Sequence, residues 1–220
     1  MSDPKPDLKS AYALTSVEDN RRLYANWAKD YDSGFAKDMA YILHLHVVEA
    51  FCNMGGRGPV LDIGAGTGLA GEALVQRQTC EIDGVDVSQD MLEVAKSKAV
   101  YRNLIVADVT QPLDLDTHYN GLISSGTFTH GHVGPDAIDY LLDICAKGAK
   151  CALSVNKEHW QSRGFEQKFH DLRAKIDELE TRSVRIYTKR QPLAISCCAS
   201  QRSGEDRRRS GRPLQQQRSP

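Results

Sequence analysis

The sequence predicts an α/β fold with a doubly wound, mostly parallel sheet. Beyond an N-terminal helical region, short apolar runs alternate with longer helical segments, which is the pattern of a parallel sheet covered on both faces. The first apolar run leads into a loop with glycine at every second position, residues 64–68. Because right-handed crossovers join parallel strands, these elements predict a Rossmann-like arrangement.

Two helices are predicted to precede the sheet. The first covers residues 17–32, where Ser16 can cap the first turn. Apolar side chains recur along it at a spacing of four, at Leu23, Trp27 and Tyr31. The second helix covers residues 39–51 and ends before Gly55-Gly56, where a helix end and a loop are both expected.

Five apolar runs predict the parallel strands. They cover residues 60–63, 81–86, 104–107, 121–125 and 149–155. Helical segments follow at residues 69–77, 90–99 and 137–146. A long amphipathic helix, residues 165–180, is predicted to lead to a sixth strand at residues 184–188.

Composition indicates a soluble globular protein, with 40% hydrophobic and 26% charged residues. No run of about 18 apolar residues can cross a bilayer. Residues 1–7 carry no apolar stretch after a basic segment, so neither a signal peptide nor an anchor is expected; the predicted location is cytoplasmic, with the nucleus also open. The six cysteines show no C-x-x-C spacing, so we expect reduced, mostly buried thiols and no metal site.

The chain is predicted to hold one domain, residues 16–198, after a flexible N-terminus at residues 1–15. Residues 199–220 carry six arginines against two acids and one large apolar side chain, so this tail is expected to be disordered. The rest of the chain is acidic. An acidic body is a poor platform for a phosphate backbone, which disfavours nucleic acid as a partner.

The strongest functional signal is the glycine loop that follows the first predicted strand. Glycine at positions 64, 66 and 68 lets the backbone turn tightly and admits a ligand against bare amides near a helix N-terminus. The segment from Gly66 to Gly71 also fits the dinucleotide pattern G-x-G-x-x-G. An NAD-dependent oxidoreductase therefore stays open as an alternative.

Three acids are predicted to surround this loop. Asp86 ends the second run, where a carboxylate can accept both hydroxyls of an adenosine ribose. Asp108 follows the third run at the same edge of the sheet, where it can take a hydrogen bond from an adenine amino group. Asp62 lies two residues before Gly64. Three carboxylates suit a cationic sulfonium better than a pyrophosphate.

In this order the motifs resemble those of the class I S-adenosylmethionine (SAM)-dependent methyltransferases. The resemblance covers about residues 20–180. Three further stretches, residues 19–24, 27–32 and 125–133, are similar to the methyltransferase-like proteins of the Williams-Beuren syndrome region. The resemblance implies S-adenosyl-L-methionine as cofactor and transfer of its methyl group to a small-molecule or protein acceptor. A non-catalytic SAM-binding protein is the third alternative.

The resemblance also implies roles for single residues around the loop. Gly64, Gly66 and Gly68 would line the methionine part of SAM, and Asp62 would lie beneath the loop and orient it. Burying Asp62 without a partner is costly, which favours this bracing role over chance.

Two acids and two apolar side chains would hold the adenosine part, and two aromatic side chains would close over the cofactor. Asp86 would contact the ribose and Asp108 the adenine edge, although each can instead cap the next helix. Met91 and Leu92 would pack against the adenine. The aromatic side chains that would close over the cofactor are Trp27 and Tyr31, with plain helix packing as the alternative.

Catalytic candidates follow the fourth predicted strand. Either His130 or His132 can serve as a general base, since an unperturbed histidine titrates near neutral pH. The alternative is a pair of loop histidines, because methyl transfer to a good nucleophile depends more on alignment than on proton removal.

The C-terminal end departs from the family pattern of a helix followed by an antiparallel hairpin. Only residues 192–198 can supply the second strand; Pro192 lacks a donor, and the polar tail follows at once. The sequence leaves open whether this hairpin is complete. Its loss would expose a sheet edge, so we predict a protein that keeps the SAM pocket but is less stable than its relatives.

Overall fold

The computed structural model describes residues 22, 23, 25, 27–116, 118–129, 133–188 and 193–201. Seven strands form one sheet in the order β3-β2-β1-β4-β5-β7-β6. They are β1 Val60–Ile63, β2 Ile82–Asp86, β3 Asn103–Val106, β4 Tyr119–Phe128, β5 Cys145–Asn156, β6 Ile176–Arg185 and β7 Leu193–Gln201. The first five are parallel, and β7 runs antiparallel between β5 and β6. The predicted doubly wound α/β sheet is confirmed.

The α-helices lie in segments where apolar residues recur about every fourth position instead of every second position. They are α1 Leu43–Asn53, α2 Leu69–Val75, α3 Gln89–Ser97, α4 Ala137–Asp143, α5 Lys157–Arg163 and α6 Phe165–Asp171. Side chains cap two of them: Ser88 accepts from Met91 N at the start of α3, and Asn156 accepts from Glu158 N and His159 N at the start of α5. No helix among the described residues is long and apolar enough to span a bilayer.

The core lies on both faces of the central strands, because alternate residues of a strand point to opposite faces. One apolar cluster packs the sheet against α4 and α6, with Leu61, Leu122, Leu153, Leu141 and Phe169 among its members. The other packs the sheet against α1 and α2, with Val60, Ile123, Ala152, Phe51 and Leu74 among its members. β1 is buried along its whole length, which fixes the glycine loop that follows it.

The N-terminal region differs from the two predicted helices. The described residues from 22 to 27 are helical, but the chain then tightens into a 3₁₀ turn, Ala28–Asp30, and widens into a π-helix, Tyr31–Ala36. The helix predicted from residue 39 begins only at Leu43. Residues 40–42 instead bond to the chain after β6: Ile42 N donates to Ile186 O, and Tyr41 forms a bridge with Tyr187. These long-range bonds override the local helical pattern.

The C-terminal hairpin, whose completeness the sequence leaves open, is complete. β7 pairs with β5 on one side and with β6 on the other, so it is an interior strand. Pro192 lies outside the described residues, and small side chains such as Ala194 and Ser196 fit the buried positions of the strand. The predicted loss of stability, which depended on a missing strand, has no basis in this fold.

The helix predicted at residues 165–180 is also too long. α6 ends at Asp171, a 3₁₀ turn covers Leu172–Ala174, and β6 begins at Ile176. β6 is an exposed edge strand with polar side chains on both faces. Its few apolar residues do not alternate with polar ones as in a half-buried strand, so the sequence resembles that of an amphipathic helix. β7 extends to Gln201, three residues beyond the predicted domain end at 198, and residues 202–220 lie outside the described part of the chain.

Hydrogen exchange tests the position of β7. We expect its amides from Ala194 to Ser200 to be as strongly protected as those of β1, because both strands are bonded to neighbours on two sides. β6, bonded on one side only, supplies the internal control and should exchange faster. Exchange of β7 as fast as that of β6 would show that the hairpin does not close the sheet.

Candidate functional site

A cavity of about 190 Å³ opens at the carboxyl ends of the parallel strands. This is where ligands bind in open α/β sheets. Its lining comes from the glycine loop, from the ends of β2, β4 and β5, and from residues 107–110. The N-terminal region and the chain around β6 and β7 complete the wall, through residues such as Tyr31, Tyr41 and Tyr187.

All three loop glycines adopt positive φ, at 65° for Gly64, 54° for Gly66 and 87° for Gly68. These values are strained for any other residue. The three differ in what surrounds them. A Cβ on Gly64 would collide with Thr127, whereas a Cβ on Gly66 would have no neighbouring atom closer than 4.0 Å. Gly66 lines the cavity, so its bare backbone leaves room there for a ligand.

Asp86 ties the end of β2 to the glycine loop. Gly66 N donates to Oδ2 at 2.9 Å, and Ser88 N donates to Oδ1 at 2.8 Å. Burial raises the pKa of Asp86, and the backbone donors Ser88 and Gly66 oppose that shift. Each carboxylate oxygen has two lone pairs, so Asp86 can hold the loop and still accept from a ligand hydroxyl.

Asp62 is buried beneath the loop, with 1% of its surface exposed. Tyr101 Oη donates to its Oδ2 at 2.7 Å. Burial raises the pKa of Asp62 to about 7; the Tyr101 hydrogen bond opposes this shift, and the nearby Asp86 adds to it. The Tyr101 hydroxyl and the Gly71 backbone therefore partly compensate this carboxyl group for its burial.

Tyr101 is a site residue that the sequence reasoning missed. Its ring fills space left by three glycines: a Cβ on Gly71 would lie 2.5 Å from Tyr101 Cζ, and Cβ atoms on Gly68 and Gly84 would lie 2.9 and 3.0 Å from its ring. The last glycine of the dinucleotide pattern is thus explained by the Tyr101 ring. The sequence feature that could have indicated this ring is Gly84, a glycine inside β2.

Asp108 borders the cavity where the chain leaves β3. Its Oδ1 accepts from Thr110 N at 2.9 Å and from Thr110 Oγ1 at 2.7 Å. This short turn fixes the carboxylate against the cavity wall. Asp62, Asp86 and Asp108 line the same cavity, as expected from the ends of neighbouring strands.

Asp32 anchors the N-terminal region to the loop. Thr67 Oγ1 donates to Asp32 Oδ1 at 2.5 Å, and Lys98 Nζ lies 2.7 Å from Asp32 Oδ2. Lys98 also lies 3.0 Å from Glu72, so its charge is balanced. These contacts hold the π-helix beside the loop and place Tyr31 in the cavity wall.

The structure places most predicted cofactor residues together. Seven of them line the cavity: Tyr31, Asp62, Gly64, Gly66, Asp86, Met91 and Asp108. The other three do not. Trp27 and Leu92 are buried in packing, and Gly68 starts α2 against Tyr101. The catalytic candidates His130 and His132 lie outside the described residues.

A second set of residues in the cavity lining was not predicted. We call it the neutral chamber; its residues are Tyr41, His44, Ser125, Ser154, Asn156 and Tyr187. Burial and the charge of Lys98 lower the pKa of His44 to about 4, so its imidazole is uncharged at neutral pH. The buried His44 Nδ1 has no hydrogen-bond partner among the described residues. Helical spacing in α1 gave no indication that His44 faces a cavity.

The geometry allows a pH-dependent prediction for Asp62. Since its folded-state pKa is raised, the folded protein keeps a proton that the unfolded chain releases between roughly pH 4 and pH 7. The stabilisation from this proton is complete below about pH 4 and is lost as pH rises through about 7. Asp62→Asn should therefore gain stability relative to wild type, on the order of 2 kcal/mol, from about pH 5 to pH 8.

Urea unfolding across this pH range, without ligand, measures the effect. Asp90→Asn is the matched control, because Asp90 is exposed in the first turn of α3. Its stability curve should run parallel to that of wild type. A parallel curve for Asp62→Asn as well would show that Asp62 is ionised in the folded protein throughout the range.

Comparisons with known proteins agree with this geometry. Residues 60–150 match the sequence profile of a methyltransferase domain family. The chain is 26% identical over 179 residues to Methyltransferase-like protein 27 of Homo sapiens, a match that covers 79% of this chain and 71% of the human protein.

Solved structures share the fold. N-methyltransferase NodS from Bradyrhizobium japonicum, in complex with S-adenosyl-L-homocysteine, matches with a TM-score of 0.57 and 15% identity, over 72% of this chain and 85% of that chain. A TehB-like SAM-dependent methyltransferase from Corynebacterium glutamicum matches with a TM-score of 0.59 and 16% identity, over 80% of this chain and 97% of that chain. The oxidoreductase alternative finds no support here. Residues 60–150 thus carry a methyltransferase domain, within a fold that is shared with SAM-dependent methyltransferases.

Proposed function

We propose that the cavity binds SAM along the glycine loop and that the neutral chamber holds a small-molecule methyl acceptor. The observation that carries this proposal is the hydrogen bond from Gly66 N to Asp86 Oδ2. It puts the open loop backbone and a carboxylate on one wall of one cavity, with Asp62 and Asp108 beside them. A ligand that is both cationic and rich in hydroxyl groups fits this donor set.

Each part of the proposed cofactor site has a physical role. The Gly66 backbone leaves space for the methionine part, and Asp86 accepts from the ribose hydroxyls. Asp108 accepts from the adenine amino group, and Met91 packs against the ring. Asp62, supported by Tyr101, braces the loop from below. When bound, SAM supplies a sulfonium methyl group that passes to a nucleophile by in-line displacement and leaves S-adenosylhomocysteine.

The acceptor is proposed to enter beside the ends of β4 and β5. Ser125 and Gly126 lie near the end of β4, where Gly126 N donates to Ser154 Oγ at 3.0 Å and Tyr41 Oη lies 2.8 Å from Ser125 Oγ. These bonds hold the chamber floor in place, so an acceptor meets a fixed surface that can align its nucleophile. Because two separate parts of the chain wall in this chamber, it suits a small molecule better than a folded protein surface.

Proton transfer is a separate part of the proposal. His44 is too weak a base to take a proton near neutral pH, given its lowered pKa. His130 and His132, which follow β4, remain the proposed general bases for an acceptor that must lose a proton. If either acts so, His130→Ala or His132→Ala lowers the rate with a hydroxyl acceptor and leaves SAM affinity unchanged.

Transfer of tritium from methyl-labelled SAM into a cell extract tests the proposed function. Separating the products by size distinguishes small molecules from proteins and nucleic acids. We expect the label in the small-molecule fraction, and none with Gly66→Val. Label in protein alone would overturn the acceptor class, and SAM binding without any transfer would favour a non-catalytic binding protein.

A further inference from the structure

The neutral chamber differs in charge from the rest of the cavity. All of its six residues are uncharged, because His44 is neutral, whereas Asp62, Asp86 and Asp108 line the loop side. Among the described residues of the whole cavity lining, none is lysine or arginine. Lys98, which lies near His44, is paired with Asp32 and Glu72. Within the described part of its lining, the chamber therefore offers no counter-charge to an anionic group.

Aromatic rings form one wall of the chamber. The Tyr41 and His44 rings are stacked, with centroids 5.4 Å apart and planes 16° apart. The Tyr187 ring lies 5.9 Å from the Tyr41 ring at a tilt of 58°. Such centroid distances are those of favourable aromatic pairs, and all three residues line the cavity.

This wall is held in position from both sides. The β-bridge between Tyr41 and Tyr187 and the bond from Ile42 N to Ile186 O join the N-terminal region to the chain after β6. The Tyr41 hydroxyl lies 2.8 Å from Ser125 Oγ, and a Cβ on Gly126 would come within 3.0 Å of it. The aromatic surface is thus fixed before any acceptor arrives, so a flat ligand loses little free energy to reorganisation.

We propose that the methyl acceptor is an uncharged small molecule with a planar aromatic ring, which stacks against the Tyr41–His44–Tyr187 wall of the neutral chamber. This inference rests on the proposed function. Burying a carboxylate or phosphate without a counter-charge is strongly unfavourable, and three acids nearby add repulsion. A cationic acceptor meets the like charge of the sulfonium in the same cavity. A saturated ring lacks the flat face and the quadrupole that match the wall.

Binding of three probes to the protein saturated with S-adenosylhomocysteine tests the inference. The probes are 4-hydroxybenzamide, its anionic isostere 4-hydroxybenzoate, and the saturated analogue 4-hydroxycyclohexanecarboxamide. Calorimetry, with saturation-transfer NMR for weak binders, measures each affinity near pH 7. We expect the benzamide to bind at least about tenfold more tightly than the benzoate and about fivefold more tightly than the saturated amide.

Variants connect the preference to the wall. Tyr41→Leu should lose the preference for the aromatic ring over the saturated one, and Tyr41→Phe should retain it because the ring face remains. Tyr140→Leu is the control, since Tyr140 lies on α4 outside the cavity lining. Thermal melting and the affinity for S-adenosylhomocysteine show whether each variant is folded.

Three outcomes would overturn the inference: equal or tighter binding of the benzoate, equal binding of the saturated amide, or no binding of the benzamide at millimolar concentration. The two proposals fail differently. A wild-type protein that does not bind S-adenosylhomocysteine would contradict the proposed function itself. Tight S-adenosylhomocysteine binding without a preference for neutral aromatic probes would contradict this inference alone.

Discussion

Gly66→Val is expected to abolish cofactor binding, with an affinity for S-adenosylhomocysteine at least about 100-fold below that of wild type. Gly66 has a φ of 54°, and a side chain there would project into the cavity. Valine also strains the backbone that carries the amide bonded to Asp86. Both effects are confined to the glycine loop and the cavity, so we expect the sheet and the helices to stay intact. Calorimetric titration with S-adenosylhomocysteine measures the loss.

Gly55→Val separates strain from obstruction. Gly55 also has a positive φ, 74°, but a Cβ there would meet no atom within 4 Å, and the residue lies outside the cavity lining after α1. This control should be destabilised by about 1–3 kcal/mol and still bind S-adenosylhomocysteine normally. If Gly66→Val is folded and keeps its affinity, the loop is not the cofactor site.

Asp86→Ala is expected to weaken S-adenosylhomocysteine binding by about 2–3 kcal/mol, which is roughly a 30- to 150-fold rise in Kd. The substitution removes the proposed partner of the ribose hydroxyls. It also leaves Gly66 N and Ser88 N without their acceptor, so the loop loses its link to β2. Asp108→Ala should cost less, because Asp108 bonds only within its own turn.

Asp90→Ala is the control for charge. It removes an exposed carboxylate four residues away, at the start of α3. We expect its affinity to match that of wild type within about twofold, because exposed charges are screened. Wild-type affinity in a folded Asp86→Ala protein would exclude Asp86 as a ligand contact.

The parts of the fold that sequence predicted well are encoded locally. Residues 60–63 are apolar except for Asp62, which is the pattern of a buried parallel strand. The glycine loop and Asp86 follow their strands directly, so strand assignment alone brings them to one edge of the sheet. Their joint position at the cavity follows from the crossover rule and needs no knowledge of side-chain packing.

The parts that sequence could not predict depend on contacts between distant segments. Tyr41 leaves its helical pattern to pair with Tyr187, 146 positions along the chain. Tyr101 reaches Asp62 across two strands, and its place is visible only as the space that glycines leave. Residues 192–198 are the candidate for the last strand, but whether they pair with β5 and β6 depends on distant segments and stays open from sequence alone.

A crystal structure of the protein with S-adenosylhomocysteine tests the central claim most directly. The account predicts that the ribose hydroxyls lie within hydrogen-bond distance of Asp86 and that the adenine amino group faces Asp108. It also predicts the amino-acid part of the ligand against Gly66, with the sulfur directed toward the neutral chamber. A ligand bound elsewhere, or one that leaves Asp86 bonded only to Gly66 N and Ser88 N, would contradict it.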